Sequence, residues 1–161
     1  MKTFTDNAGR TWTIAINVDA IKRVRSLLNV DLLEIVEGTL IEKLIRDPVL
    51  LCDVVYAVCK PEADAKTVSD EEFGRAMAGD AIEQATKALL EDLVGFSPSP
   101  RDRANLQKVL DTTWSVMERA RDLIEKRLQS GELEKVVERA LASAGNSSGG
   151  VPESSASSPA L

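Results

Sequence analysis

One segment of the chain, lying between two prolines, limits the possible folds most strongly. Asp47 followed by Pro48 is a helix start signal, because aspartate caps the first turn and proline suits the first helical position. The residues that follow are apolar on almost every side: Val49, Leu50, Leu51, Val54, Val55, Tyr56 and Val58. A helix without a polar face belongs in the centre of a domain. The sequence therefore predicts a central helix from Pro48 to about Cys59, ended by Pro61.

More helices are predicted around this central helix. Aromatic residues make up only 4% of the chain, so the core must be built from Leu, Val, Ile and Ala, a choice that favours packing between helices. Apolar residues at three- and four-residue steps predict these helices. They span residues 18–28, 39–46, 81–94, 101–129 and 132–142, with short helical segments at 32–36 and after the capping box Ser69-Asp70-Glu71-Glu72.

The N-terminus has the pattern of a β-hairpin. Strand-forming residues 3–5 and 10–16 flank a turn at 6–9. Trp12, Ile14 and Ile16 share one face of the second strand, and an isolated hairpin is marginal in water. We therefore expect that face to pack on helices.

Together these patterns predict a mostly α fold. Residues 1–96 form a compact helical core with a small N-terminal β-hairpin, and residues 97–144 form a long helical arm that packs on the core or extends from it. The boundary is Ser97-Pro98-Ser99-Pro100. The Ser-, Gly- and Pro-rich residues 145–161 have no pattern that could bury a face, so we expect them to be disordered.

The side chains of most catalytic sites are missing. The chain has no histidine, which excludes Ser-His, Cys-His and His-metal machinery. Cys52 and Cys59, on one helix, would lie about 10 Å apart, too far for a disulfide, so we expect buried reduced thiols. Acidic groups such as Asp70, Glu71 and Glu72 fall in helix first turns, where capping explains them. We predict a protein that is not an enzyme and uses no cofactor or metal.

The charge pattern bears on partners and location. The chain carries a formal net charge of −6, and its acidic side chains are concentrated in residues 61–95, a segment that either keeps the chain in solution or meets a basic partner. Nucleic-acid binding would rest on Lys22, Arg23, Arg25, Arg101 and Arg103, without interleaved aromatic rings. No apolar run approaches a membrane span or a signal-peptide core. We expect a cytosolic protein that binds neither membrane nor nucleic acid.

An apolar stripe on the last long helix is the best candidate for a functional surface. Leu106, Val109, Leu110, Thr113, Trp114, Met117, Ile124 and Leu128 recur at helical spacing. The stripe either packs on the other helices of the domain or is exposed to a partner helix or another copy of the chain. On the second interpretation the partner-binding residues are Leu106, Val109, Leu110, Trp114, Met117 and Ile124.

Two stretches of the sequence resemble a family of small phage proteins. They are FTDNAGRTWTIAINVDAIKRVR and LLCDVVYAVCKPEADAKTVSDEEFGRAMAGDAIEQATKALLEDLVGF, followed by a Ser/Pro-rich end. Over residues 1–103 the chain resembles the tail assembly chaperones of siphophages, which are encoded just before the tape-measure gene. The resemblance implies a protein that coats the helices of the tape-measure protein, recruits tail-tube subunits and leaves before the virion is complete. It also implies no catalytic residues, a place in the host cytoplasm and a short form beside a frameshifted longer one.

Two other functions stay open. The chain could be a structural adaptor or oligomeric scaffold that remains in the particle, or a nucleic-acid-binding packaging or regulatory factor. A tape-measure gene immediately downstream would favour the chaperone over both.

Overall fold

The computed structural model describes residues 1–145. In chain order the elements are β1 (Lys2–Thr5), β2 (Thr11–Ile14), α1 (Val18–Leu28), a 3-10 helix (Leu32–Glu37), α2 (Thr39–Arg46), α3 (Pro48–Ala65), α4 (Asp70–Arg75), α5 (Asp80–Phe96), α6 (Pro100–Gln129) and α7 (Glu132–Gly145). The predicted fold class is confirmed: the chain is mostly helical with an N-terminal hairpin and long C-terminal helices. Gly145 ends α7, and the rest of the predicted disordered tail lies outside the described residues.

The chain divides into two compact units within α6. The first unit is Met1–Trp114, and the second begins at Ser115. The sequence had suggested a boundary at the Ser-Pro repeat before α6. The structure instead keeps the start of α6 in the first unit, because Leu106 and Leu110 are part of its hydrophobic core.

The hairpin and helices of the first unit share one core. The two strands pair antiparallel with Phe4 opposite Trp12. As predicted, Trp12 and Ile14 are buried and Ile16 packs against the same core. The other large, fully buried side chains come from α1, the 3-10 helix, α2, α3, α4, α5 and α6: Val24, Leu32, Leu44, Leu51, Val54, Phe73, Leu89, Leu90, Leu93 and Leu110.

A buried aspartate fixes the turn of the hairpin. Asp6 accepts hydrogen bonds of 2.9 Å from the backbone N–H groups of Ala8 and Arg10, from Arg10 Nε and from Trp12 Nε1. Asn7 then attaches the turn to the loop before α5, through hydrogen bonds of 3.0 Å to the carbonyls of Ala76 and Ala78. The β-hairpin is therefore held by a satisfied polar network as well as by its apolar face.

Helix α3 is longer than the sequence predicted. Pro61 does not end it, since the helix continues to Ala65. A proline inside a helix removes one N–H donor and leaves the carbonyl four residues earlier without its helical partner. That carbonyl belongs to Ala57, and it accepts a 3.1 Å hydrogen bond from Arg23 Nη1, which also donates to Val58 O at 3.0 Å. Arg23 of α1 therefore supplies the hydrogen-bond donor that Pro61 lacks.

The all-round burial predicted for α3 holds only in part. Leu51, Val54, Val55 and Val58 are buried, as expected of a central helix. Leu50 and Tyr56 are half-buried. Val49 in the first turn is 70% exposed, so this end of α3 has an apolar surface that the core does not cover.

The second unit is described from Ser115 to Gly145, and we call these residues the arm. The arm holds the C-terminal half of α6 and all of α7. The two helices are separated at Gly131, whose positive φ of 71° suits glycine because it has no Cβ. No residue of the arm is buried.

Candidate functional site

The predicted partner-binding stripe on α6 is divided between the two units. Leu106 and Leu110 are buried in the core of the first unit, and Trp114 is half-buried against it. The structure therefore corrects the expectation for Leu106 and Leu110: these side chains hold α6 on the core and present no surface to a partner. The sequence could not separate the two roles because the spacing of apolar residues is the same along the whole helix.

The other predicted residues are accessible to different degrees. Val109 is exposed at the edge of the first unit, and Met117 is half-buried at the start of the arm. Ile124 is 57% exposed. Of the six predicted residues, Ile124 has the surroundings that a binding surface on the arm requires.

Around Ile124 the arm carries further exposed apolar residues. Val116, Leu123 and Leu128 are all large and exposed, although the sequence analysis did not select them as partner-binding residues. With Ala120 they recur at steps of three and four residues, which places them on one side of α6. The helical spacing of these residues is the sequence signal that could have identified them. The sequence does not say whether a periodic face is covered by the rest of its own chain.

Helix α7 repeats the arrangement. Leu133, Val136, Val137 and Leu141 follow the same spacing and are all exposed. With its 14 residues, α7 is at the length where an isolated helix is marginal in water, because most helical stability in proteins comes from packing an apolar face. Within the described chain nothing buries that face.

The polar side of the arm is balanced in charge. Residues 115–145 contain six acidic and six basic side chains. Glu118 and Arg121 form one of the ion pairs on the helix surface, at 3.0 Å. A neutral arm exerts little long-range electrostatic force on a partner. We define the arm surface as the exposed residues Val116, Leu123, Ile124, Leu128, Leu133, Val136, Val137 and Leu141.

Several of the basic residues considered for nucleic-acid binding are engaged within the fold. Arg23 binds the α3 carbonyls and pairs with Asp19. Arg25 pairs with Asp31 at 2.8 Å. Arg103 Nη1 donates a 2.7 Å hydrogen bond to Ser97 O. The Arg23 contact satisfies carbonyls inside α3, and the Arg25 and Arg103 contacts lie at helix ends, so all three arginines have a structural role.

The thiols have little nucleophilic character. Both cysteines are free. Burial raises the pKa of Cys59 to about 12, and burial, together with the charges of Asp53 and Asp70, also raises the pKa of Cys52. Because the thiolate is the reactive form, neither position favours nucleophilic chemistry near neutral pH. Cys59 is buried as expected, whereas Cys52 is only half-buried.

Residues 1–145 contain neither a cluster of possible metal ligands nor a helix that could cross a membrane. No group of three or more His, Cys, Asp or Glu side chains is placed to hold a metal ion. No helix in that part of the chain is both long and apolar enough to cross a membrane.

Comparison with protein-family models, with curated proteins and with solved structures found no match to this chain. Its function is therefore inferred from its own surfaces and from the resemblance of its sequence motifs.

Proposed function

We propose that this chain is a non-enzymatic protein that binds another protein through the arm surface. The observation that carries the proposal is that eight large apolar side chains of the arm are exposed, while no residue between Ser115 and Gly145 is buried. Exposed apolar patches of this kind mark interaction surfaces. The first unit, by contrast, buries most of its large apolar side chains in one core.

The partner that fits such a surface is an amphipathic helix. The exposed residues lie at helical spacing on α6 and α7, so a partner helix can pack its own apolar side chains between them. Docking would also stabilise α7, whose length is marginal for an isolated helix. We therefore expect the helical content of the complex to exceed that of its separate components.

Within this class, we propose a tail assembly chaperone of a long-tailed phage. The support is the sequence resemblance over residues 1–103, together with an arm suited to long helices such as those of the tape-measure protein. In this role the arm surface keeps tape-measure helices in solution in the host cytoplasm, and tail-tube subunits join the complex. The chaperone leaves before the mature virion forms.

Co-expression with the tape-measure protein tests the proposal. Leu123→Gln with Ile124→Gln should lower the fraction of tape-measure protein that stays in solution, and should leave the melting temperature of the chaperone unchanged. Leu27→Gln with Val36→Gln is the matched control, since these two residues of the first unit are exposed to a similar degree. A tape-measure protein that is equally soluble with and without the wild-type chain would refute the chaperone function.

Mass spectrometry of purified virions separates the chaperone from the structural adaptor. The chaperone is expected to be absent, and the adaptor would be present at a fixed ratio to other tail proteins.

A further inference from the structure

The first unit has a second uncovered surface, in a groove beside the first turns of α3. Its lining includes Val49, Cys52 and Asp53 from α3, Asp70 and Phe73 from α4, and Met77 from the loop that follows. The groove holds about 310 Å³. All of these residues precede Trp114, so the groove lies within one unit.

The apolar part of the groove is preformed. Phe73 is buried, with its ring held edge-on by Trp12 at a centroid distance of 5.1 Å and tilted against Tyr56 at 5.3 Å. Val49 stands at the rim with 70% of its surface exposed. Phe73 is only 1% exposed, so it forms a fixed backing of the groove, and Val49 supplies the accessible apolar surface at little cost in ordering.

Two carboxylates line this groove, and neither is paired with a basic side chain of residues 1–145. Within residues 1–145, neither Asp53 nor Asp70 forms an ion pair or a side-chain hydrogen bond. Burial raises the pKa of Asp53, and the negative charges of Asp70 and Asp47 raise it further. Several other aspartates of this unit do have basic partners, as Asp6 has Arg10 and Asp31 has Arg25. A cation placed in the groove would relieve this repulsion.

We propose that the groove binds a segment of another protein that places a lysine or arginine against Asp53 and Asp70. Lysine and arginine combine an aliphatic stem, which suits Val49 and Phe73, with a charged end that suits the carboxylates. Residues 146–161 contain no Lys or Arg, so this segment cannot supply the group. The groove shares no residue with the arm surface, and this second docking site goes beyond the proposed function.

The half-buried thiol of Cys52 reports whether the groove is occupied. The probe is an amphipathic helical peptide with lysines beside its leucine face, and its matched control has glutamines in their place. At mildly alkaline pH N-ethylmaleimide should alkylate Cys52 slowly in the free full-length chain, because its pKa is raised, and more slowly still when the lysine peptide is bound. The buried Cys59 is the internal reference. The glutamine peptide should bind at least about tenfold more weakly, since it lacks the charge.

Charge variants then locate the site. Asp53→Asn with Asp70→Asn should weaken binding of the lysine peptide about tenfold or more in fluorescence anisotropy. Anisotropy is the better readout here, because these changes also alter the reactivity of Cys52. Glu34→Gln with Glu37→Gln, at two exposed residues of the 3-10 helix, should leave the affinity unchanged. So should Leu123→Gln with Ile124→Gln, which separates this result from the function of the arm.

Three outcomes would overturn the proposal. Equal affinity for the two peptides would show that charge does not select the ligand. Unhindered alkylation of Cys52 at saturating peptide would place the peptide elsewhere, for example on the arm. Protection of Cys52 that rises with protein concentration in the absence of peptide would identify a second copy of the chain as the occupant.

Discussion

Leu110 and Leu123 lie on the same helix but in different surroundings. Leu110 is fully buried in the core of the first unit, whereas Leu123 on the arm is 60% exposed. The predicted stripe that contains Leu110 continues along the arm to Ile124 and Leu128, which are 57% and 59% exposed, so one periodic pattern on α6 spans both surroundings. The comparison shows that helical periodicity identifies a face that must be covered, and leaves open whether the chain or a partner covers it.

The two regions should therefore respond differently to the same kind of change. The first unit has strands, seven helical segments and a closed core, so its stability should come from its own packing. The arm has no buried residue, so its apolar side chains contribute little to folding and should affect binding.

The largest difference is expected for a buried charge. Val55→Asp places an unpaired carboxylate at a fully buried position of α3, at a cost of several kcal/mol against a total stability of roughly 5–15 kcal/mol. We expect loss of the cooperative unfolding transition in circular dichroism. Leu123→Asp on the arm should keep that transition. A folded Val55→Asp protein would mean that α3 is not the centre of the core.

Truncation of the two leucines on α6 tests the comparison within one helix. Leu110→Ala should lower the free energy of unfolding by about 2–5 kcal/mol, because it leaves a cavity in the core. Leu123→Ala should change it by less than about 0.5 kcal/mol, as surface substitutions usually do. Urea titration measures both. Similar losses would show that the arm packs on something in the free protein.

The hairpin network of the first unit should make stability depend on pH. Burial alone would raise the pKa of Asp6, but hydrogen bonds from Trp12 and Arg10 outweigh it and lower the pKa below the ordinary 3.8. A group with a depressed folded pKa stabilises the fold above its unfolded pKa, and the contribution is lost as pH falls through the folded value.

Asp6→Asn should therefore cost about 1–3 kcal/mol at neutral pH, because it weakens a buried and charge-assisted network. The difference from wild type should stay constant above about pH 4, near the unfolded pKa, and shrink below it. Measuring the free energy of unfolding of both proteins from neutral to acid pH checks this. A difference that does not change with pH would show that the charge of Asp6 is irrelevant.

A smaller effect is expected where Arg23 substitutes for the donor that Pro61 lacks. Arg23→Met should cost about 1 kcal/mol or somewhat more, because the Ala57 carbonyl loses its donor. In a Pro61→Ala background the restored backbone N–H of residue 61 can donate to the Ala57 carbonyl instead. Arg23→Met should therefore cost less there, with a coupling energy between the two changes of about 0.5 kcal/mol or more. Lys22→Met is the control, because Lys22 is the exposed residue next to Arg23. Additive effects would contradict this account of the long α3.

The sequence predicted what local chemistry determines. The starts of α2 and α3, the hairpin, the N-cap at Ser69 and the break at Gly131 all follow from caps, turns and apolar spacing. The length of α3 could not be predicted in this way. It depends on a hydrogen bond from Arg23, a residue distant in sequence, and local rules for proline do not include such contacts.

Surface sites were harder to predict from the sequence than helices and strands. The groove beside α3 combines residues from α3, α4 and the following loop, and no single motif indicates it. Similarly, the stripe on α6 gave Leu106 and Ile124 the same interpretation, although one is buried and the other exposed. Which residues are covered is decided by tertiary packing.

Trp114 marks the end of the first unit and provides the smallest and most specific test. Its ring packs on the core, yet the indole Nε1 is buried with no hydrogen-bond acceptor in the described chain. A buried donor without a partner costs about 1–3 kcal/mol, so Trp114→Phe removes that cost while losing some packing. We expect the free energy of unfolding to stay the same or rise by up to about 1 kcal/mol. Trp12→Phe is the matched control, because Trp12 Nε1 donates to Asp6 at 2.9 Å, and its loss should destabilise the fold by about 1–3 kcal/mol. Equal losses in the two variants would mean that the indole N–H of Trp114 finds an acceptor in solution.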